Sequence, residues 1–452
     1  MVLMLCLGFV VSANSGRPYL DKPMPLTWAV DSVFSERRDD YGRQWWLSFD
    51  DSLLDSLIEV GMRNSATVAE AAHRISIARA AQGAVRAGYY PQIDVSIGWT
   101  KSQTAGTPLT RERYWLGGVS ASWEIDLFGK ITAQSKQKGA EVKVSMAEYD
   151  GVMLSLQAEI ATTYVQLRMW QLQLGVAMQH IERQMKIVKI TEARYEAMLA
   201  SMLDVAQAKT VYYSTYATTT QLRTSISTAI NQLALLVGDY PEQLVTRLSE
   251  VGQMPEYQQI VSLGVPMDLL RNRPDVVEAE RTIEAMALSL GIARKDWLPT
   301  LTLTGEISTQ GHNINDTFKR HSYSYEIAPK LSWTMFDGFA RKYNTAEARY
   351  QMESAVESYN LAVMTAVQDV DNAIVSYTNA LRYISDVEQV VEYSQRAEEL
   401  SIDRYKQGLT DFTSVANAQM SYLEYQTTLI SAQGQAAVAL INLYKALGGE
   451  VM

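Results

Sequence analysis

The sequence predicts a mainly helical protein that carries a few membrane-type β-strands, and three observations predict it. First, a segment is duplicated. Asn64, Val68, Glu70, Ala71, Ile75, Gly83, Arg86 and Pro91 recur without a gap as Asn272, Val276, Glu278, Ala279, Ile283, Gly291, Arg294 and Pro299. Second, each copy runs from an Ala-rich helical segment through a proline into alternating apolar and polar residues. Third, two later tracts of nearly seventy residues keep an apolar residue every 3.5 positions, which is the seam of a left-handed coiled coil.

The 452 residues would ordinarily suggest several domains, but a repeat nearly half the chain long argues for one composite body of two similar halves. A formal charge of -10 disfavours nucleic acid as a partner, because phosphate binding needs clustered Lys and Arg. No stretch approaches the ~18 to 20 consecutive apolar residues of a membrane-spanning helix. Any passage through a membrane would have to be made by strands.

Residues 1–13 read as a signal segment that ends in the small residues Val11-Ser12-Ala13 and is truncated at its start, since a basic opening is missing. Cys6 is the single cysteine, which excludes a disulfide framework. Three readings of it stay open: an apolar residue of the signal, a lipid acceptor, or neither. Leu3-Met4-Leu5 before it lack the small residue of a good lipid-acceptor box. Residues 14–50 read as an extended arm, with Pro18, Pro23 and Pro25 and no period, and residues 51–452 as one body. Repeat one covers about 64–238 and repeat two about 272–449.

Leu53, Leu54, Leu57 and Ile58 have the spacing of a one-faced helix, with Asp50 to Ser52 available as caps. A helix from about 65 to 87 follows. Pro91 ends it, because proline cannot continue a helix and pushes its predecessor to extended geometry; Pro299 does the same in the second half.

The first hairpin is placed at about 92–124. Ile93, Val95, Ile97 and Trp99 alternate with Asp94, Ser96, Gly98 and Thr100, and then Trp115, Val119, Ala121 and Trp123 with Gly118, Ser120 and Ser122. The second lies at about 300–334. There Leu301, Leu303 and Ile307 alternate with Thr302, Thr304 and Glu306, and Tyr323, Tyr325, Ile327, Leu331 and Trp333 with Ser324, Glu326, Lys330 and Ser332. Strands of roughly ten residues are long enough to cross a tilted bilayer path. Four strands cannot close a barrel, and an open sheet edge is not tolerated in lipid. Several copies must therefore pool their strands if this is a membrane sheet.

The two coiled-coil seams are Leu156, Ile160, Thr163, Leu167, Trp170, Leu174, Ala177, Ile181 and Val363, Val367, Val370, Ile374, Tyr377, Leu381, Ile384. Continuous helix over either tract would be a rod on the order of 100 Å. Each tract ends in a reversal, Arg194-Tyr195 to Asp204-Val205 and Arg404-Tyr405 to Ser414-Val415. Gly408 suits a left-handed helix end, and Ser201 or Asp411 can cap the next helix.

With these residues in hand, the chain resembles the outer membrane factor family, the TolC-like exit ducts of Gram-negative efflux systems, in its nodulation-type branch. The resemblance runs from Trp45 to Gly449. Its carriers are Trp45-Trp46 with Phe49-Asp50, the string Arg273-Pro274-Asp275, the string Trp123-Glu124-Ile125-Asp126-Leu127-Phe128-Gly129, and the Arg194-Tyr195 to Asp204-Val205 turn. The resemblance implies a homotrimer with a twelve-stranded barrel in outer membrane lipid and a helical barrel across the periplasm. It implies as partners a periplasmic adaptor (membrane fusion) protein and an inner-membrane pump of the resistance-nodulation type.

A duct needs a gate rather than a catalytic centre. In the family, acidic side chains at the converging helical turns constrict the pore, and Asp204 matches that acidic position. The equivalent Ser414 departs from the family's Asp, and Asn417 is likewise uncharged, which leaves one acidic ring. Asp204 also completes Ser201-x-x-Asp204, a variant of the capping box.

No cofactor or metal is implied. His73, His180, His312 and His321 lack metal-ligand spacing, Asp369 and Asp371 do not share a helix face, and there is no nucleophile elbow, phosphate loop or dinucleotide fingerprint. An enzyme is therefore not expected. The competing functions are a duct for type I protein secretion and a soluble helical scaffold.

Overall fold

The computed structural model describes residues 44–105, 110–250, 252–257, 272–317 and 319–449. The signal segment, Cys6 and the arm up to residue 43 lie outside the described residues. The end of the expected arm is not extended. Trp45–Phe49 form a 3-10 turn that buries Trp45, Trp46 and Phe49, and the N–H of Asp50, at φ 44°, closes it on the Leu47 carbonyl at 3.2 Å. Three aromatic side chains can leave water together only if the chain turns, and the hydrophobic gain offsets the strained φ.

Helices α1 (Ser52–Asn64) and α2 (Ala66–Arg86) lead to strands β1 (Gln92–Thr104) and β2 (Thr110–Ile125). Then come α3 (Lys130–Glu196), α4 (Met202–Val237) and α5 (Pro241–Leu248). The second half comprises α6 (Pro274–Lys295), β3 (Thr300–Gly311), β4 (Tyr323–Ser332), α7 (Ala340–Lys406) and α8 (Phe412–Ala446). Both long tracts are single 67-residue helices. The short α5 carries no strong sequence signal; Pro241 at its first turn supplies the start.

The contacts sort the chain into two units. The first holds His73–Ala147 and Val277–Leu361, and its centre is one antiparallel sheet in the order β1-β2-β3-β4. The pairs Val95↔Val119, Val119↔Ile307 and Ile307↔Tyr325 show that facing residues keep the same parity across all four strands. The four alternations therefore add up to one apolar face. The other face carries Asp94, Ser96, Ser120, Thr304, Glu306, Ser308 and Glu326.

Each proline corner is latched the same way. The Trp123 indole N–H donates to the Tyr89 carbonyl at 3.1 Å, and the Trp333 indole N–H to the Trp297 carbonyl at 3.2 Å. The two carboxylate oxygens of Asp126 accept from the N–H groups of Ile131 and Thr132, both at 2.9 Å, and so cap α3. Gly129 turns the chain into that helix at φ 68°. Burial works to raise the Asp126 pKa, but these N–H donors and the Thr132 hydroxyl hold it below the ordinary value.

The second unit contains the rest of the described chain, within 44–72, 148–276 and 362–449. Its core includes Trp45, Phe49, Leu54, Ile58, Ile160, Tyr164, Leu167, Leu233, Leu440 and Tyr444. Leu156, Ile160, Thr163, Leu167, Val363, Val370, Ile374 and Tyr377 of the two seams are buried here. A polar chain threads this core. The Tyr164 hydroxyl donates to Asp51 at 2.7 Å, Arg168 Nε donates to that hydroxyl at 3.0 Å, and Arg168 Nη1 reaches the Glu250 carbonyl at 2.9 Å.

Candidate functional site

The helical reversals, both in the second unit, hold the residues singled out for a gate. In the first, the Leu199 N–H donates to the Arg194 carbonyl at 2.8 Å and the Met198 N–H to the Tyr195 carbonyl at 2.9 Å. In the second, Leu409 donates to Arg404 at 2.9 Å and Gly408 to Tyr405 at 3.0 Å. Both are Schellman endings, which need a left-handed residue. Gly408 adopts it at φ 74°, whereas its counterpart is Met198 at φ 60°, costing roughly 1–2 kcal/mol.

Beyond the turn the two copies diverge. Ser201 and Asp204 form a reciprocal capping box: the Asp204 N–H donates to Ser201 Oγ at 3.2 Å and the Ser201 N–H to Asp204 Oδ2 at 2.9 Å. Asp411 occupies the matching cap position, but its side chain makes no capping bond to the backbone. Its Oδ1 instead accepts from the Ser414 hydroxyl at 3.1 Å, and Thr410 donates to Ser414 at 3.2 Å. Ser414 and Asn417 are exposed, and Asn417 lines a shallow groove of about 600 Å³ with Asp386, Tyr393 and Tyr425.

The duplicated Arg-Tyr pairs are used crosswise. Arg194 Nη1 donates to the Lys406 carbonyl at 2.9 Å, and its guanidinium lies 5.0 Å from the centre of the Tyr405 ring. Tyr405 is buried and meets Phe412 edge-on at 5.5 Å. Ile187, Val188, Ala208, Val211, Val415 and Ala416 complete that cluster. Tyr195, the counterpart of Tyr405, is 43 % exposed. A guanidinium at the C-terminus of α7 also complements the helix dipole.

Arg273, Pro274 and Asp275 build a second centre. Arg273 is 7 % exposed, and its guanidinium donates to Asp275 at 3.0 and 2.8 Å, to Asp369 at 3.1 Å and to the Ala446 carbonyl of α8 at 2.8 Å. Burial works against the charges here, yet Arg273 holds the Asp275 carboxyl below its ordinary pKa and the carboxylates raise Arg273. Pro274 opens α6 at its first position. Asp369 carried no signal of its own in the sequence, because its partner lies 96 residues away.

His180 also gave no sequence signal and is buried. Gln426 donates to the Tyr422 hydroxyl at 2.8 Å, so its oxygen accepts from His180 Nε2 at 2.7 Å and leaves Nδ1 buried without a partner. Burial lowers the His180 pKa, and Arg183 lowers it further. No group of three or more metal-ligating side chains exists among the described residues.

A sheet with one apolar face, entered from α2 and α6 at proline corners and continued after β2 and β4 by 67-residue helices, is the architecture of a membrane duct whose strands and helices have separate tasks. Among the described residues no helix is long and apolar enough to cross a membrane. The comparisons agree with that class. The outer membrane efflux protein family model matches residues 57–239 and 265–449, and the chain belongs to that family.

The chain is 26 % identical over 450 residues to nodulation protein T of Rhizobium leguminosarum bv. trifolii, covering 98 % of this chain and 95 % of the relative. It is 29 % identical over 427 residues to the pyoverdine export outer membrane protein OpmQ of Pseudomonas aeruginosa, covering 90 % and 87 %. The solved outer-membrane channel OprN superposes with a TM-score of 0.86 at 26 % identity, covering 94 % of this chain and 97 % of that one. The protein is an outer membrane efflux channel that extends into the periplasm. Its relatives are ducts rather than enzymes.

Proposed function

We propose that three copies form the passive exit duct of a tripartite pump of the resistance-nodulation type, docking to a periplasmic adaptor and an inner-membrane transporter. The observation that carries this reading is the sheet: β1 and β4 each pair on one side only, and an unpaired strand edge in lipid costs several kcal/mol per exposed backbone group. Pairing β1 of one copy with β4 of the next removes every edge. Three such sheets make a closed barrel of twelve strands.

The periplasmic gate in this reading is one ring of Asp204 side chains from the first reversal, while Ser414 and Asn417 add no charge. Like charges gathered at a constriction attract cations and repel one another, so the ring sets both selectivity and ease of opening. Asp204 has two tasks, and the substitutions Asp204→Asn and Asp204→Ala separate them. The asparagine side chain would keep an oxygen for the Ser201 N–H but lose the charge; the alanine side chain would lose both. Planar-bilayer conductance should show reduced cation selectivity in each variant. Selectivity altered by the alanine substitution but not by the asparagine one would reduce Asp204 to a helix cap.

A further inference from the structure

On the apolar face of the sheet the side chains follow a sequence from end to end. Along β1 they are Ile93, Val95, Ile97, Trp99, Lys101 and Gln103; along β2, from the same end, Trp123, Ala121, Val119, Gly117, Trp115, Arg113 and Arg111. Trp99 faces Trp115 directly, and on the next rung of this face Lys101 faces Arg113. Arg111 follows, its Nε donating to Gln103 at 2.8 Å. The face thus passes from hydrocarbon to paired indoles to paired cations, at the end remote from the helices.

Three facts make this arrangement informative. Lys101, Arg111 and Arg113 are the only charged side chains on the apolar face among the described strand residues. They are exposed, and Lys101 and Arg113 have no ion-pair partner among the described residues. Glu112, the acidic residue of this stretch, pairs with Ser102 on the opposite face. Like charges placed directly opposite on a sheet destabilise it unless an anion lies between them. In a chain of formal charge -10, a carboxylate for this face would have been easy to supply.

We propose that Lys101 and Arg113, with Arg111 beside them, form a docking surface for a phosphorylated lipid headgroup of the outer leaflet. Charge and depth both match such a headgroup. Indoles settle at the headgroup boundary, so the cations one rung beyond Trp99 and Trp115 stand at the level of lipid phosphates. Arg113 can offer a two-pronged donor set to phosphate oxygens, and Lys101 a compact charge. The surface would fix the depth and tilt of the hairpin in its membrane. This inference rests on the outer-membrane placement of the strands.

The flanking indoles supply the test. The full chain is reconstituted in phosphatidylcholine vesicles containing brominated phosphatidylcholine or brominated phosphatidic acid, and tryptophan quenching gives the relative affinity of the lipids beside the sheet. The wild type should prefer phosphatidic acid by about fivefold per basic residue at low salt, with the preference shrinking at high salt. The double variant Lys101→Gln/Arg113→Gln should lose it. Lys101→Arg/Arg113→Lys and Glu112→Gln should retain it. Equal quenching by the two lipids in the wild type, or an undiminished preference in the double glutamine variant, would overturn the headgroup surface. An absence of quenching by either lipid would instead contradict the lipid-facing placement on which it rests.

Discussion

The two helical reversals share a backbone and differ in almost everything attached to it. Both end in the same pair of Schellman hydrogen bonds, yet one uses Gly408 and the other Met198 at the left-handed position. One starts its return helix with a reciprocal capping box, the other with an Asp411 whose carboxylate is taken by Ser414. Arg194 reaches across to the second copy, while Tyr195 stands in solvent. Duplication set the turn geometry in both copies, and the side chains then specialised. The strained copy, with Met198 at the left-handed position, is the first, and it is also the one that holds Asp204 of the proposed gate.

The largest effect should come from a centre that only one half has. The counterpart of Arg273, by the offset of the duplication, is Ser65. Replacing Arg273 by Met would remove its charged hydrogen bonds to Asp275, Asp369 and the Ala446 carbonyl; because both carboxylates are about half exposed and stay solvated, the cost should be about 2–3 kcal/mol, whereas Ser65→Ala should cost about 1 kcal/mol or less. Thermal unfolding in detergent would rank them. The pH dependence has a definite sign. Because Asp275 is held below its ordinary value of 3.8, its contribution is complete above about pH 4 and is lost as pH falls through the lowered folded value. That acid-side loss should disappear in Arg273→Met.

At the reversals, Arg194→Ala should cost about 2 kcal/mol, since it removes a charged hydrogen bond to Lys406 and a stacked cation. The duplicate Arg404→Ala should stay within about 0.5 kcal/mol. Similar losses in both would mean that the halves are used alike. Gly408→Ala should destabilise by about 1–2 kcal/mol because its φ is left-handed. Met198→Gly relieves strain and adds unfolded-state entropy, so its net effect should be a gain of no more than about 1 kcal/mol. Paired melting curves of these variants would check the asymmetry.

Much of this architecture is legible along the chain. The 3.5-residue seams announce two long helices, and the prolines mark where helix becomes strand. Alternation identifies each strand, although alternation alone cannot say that four strands share one apolar face; only their register does. The centres that tie the halves together were not legible. Arg194 and Tyr405, or Arg273 and Asp369, are far apart in sequence, and local periodicity carries no record of such pairs. Asp411 shows a subtler limit. Its position at a helix start was readable, but a neighbouring hydroxyl competes for the carboxylate and that outcome depends on side-chain geometry. The turn of Trp45–Phe49 was hidden because residues 44–50 continue, without a period of their own, the stretch that Pro18, Pro23 and Pro25 mark as extended.

If the sheet of one copy is completed by the next, β1 and β4 of neighbouring copies lie side by side, and disulfide trapping can capture them there. In a Cys6→Ser background, cysteines would be placed on the polar face of β1 at Asp94, Ser96 or Gly98 and on that of β4 at Ser324 or Glu326, and the intact protein oxidised in its membrane. At least one combination should give linked dimers and trimers and nothing larger. Monomers alone from every combination, or a ladder continuing past three, would contradict it.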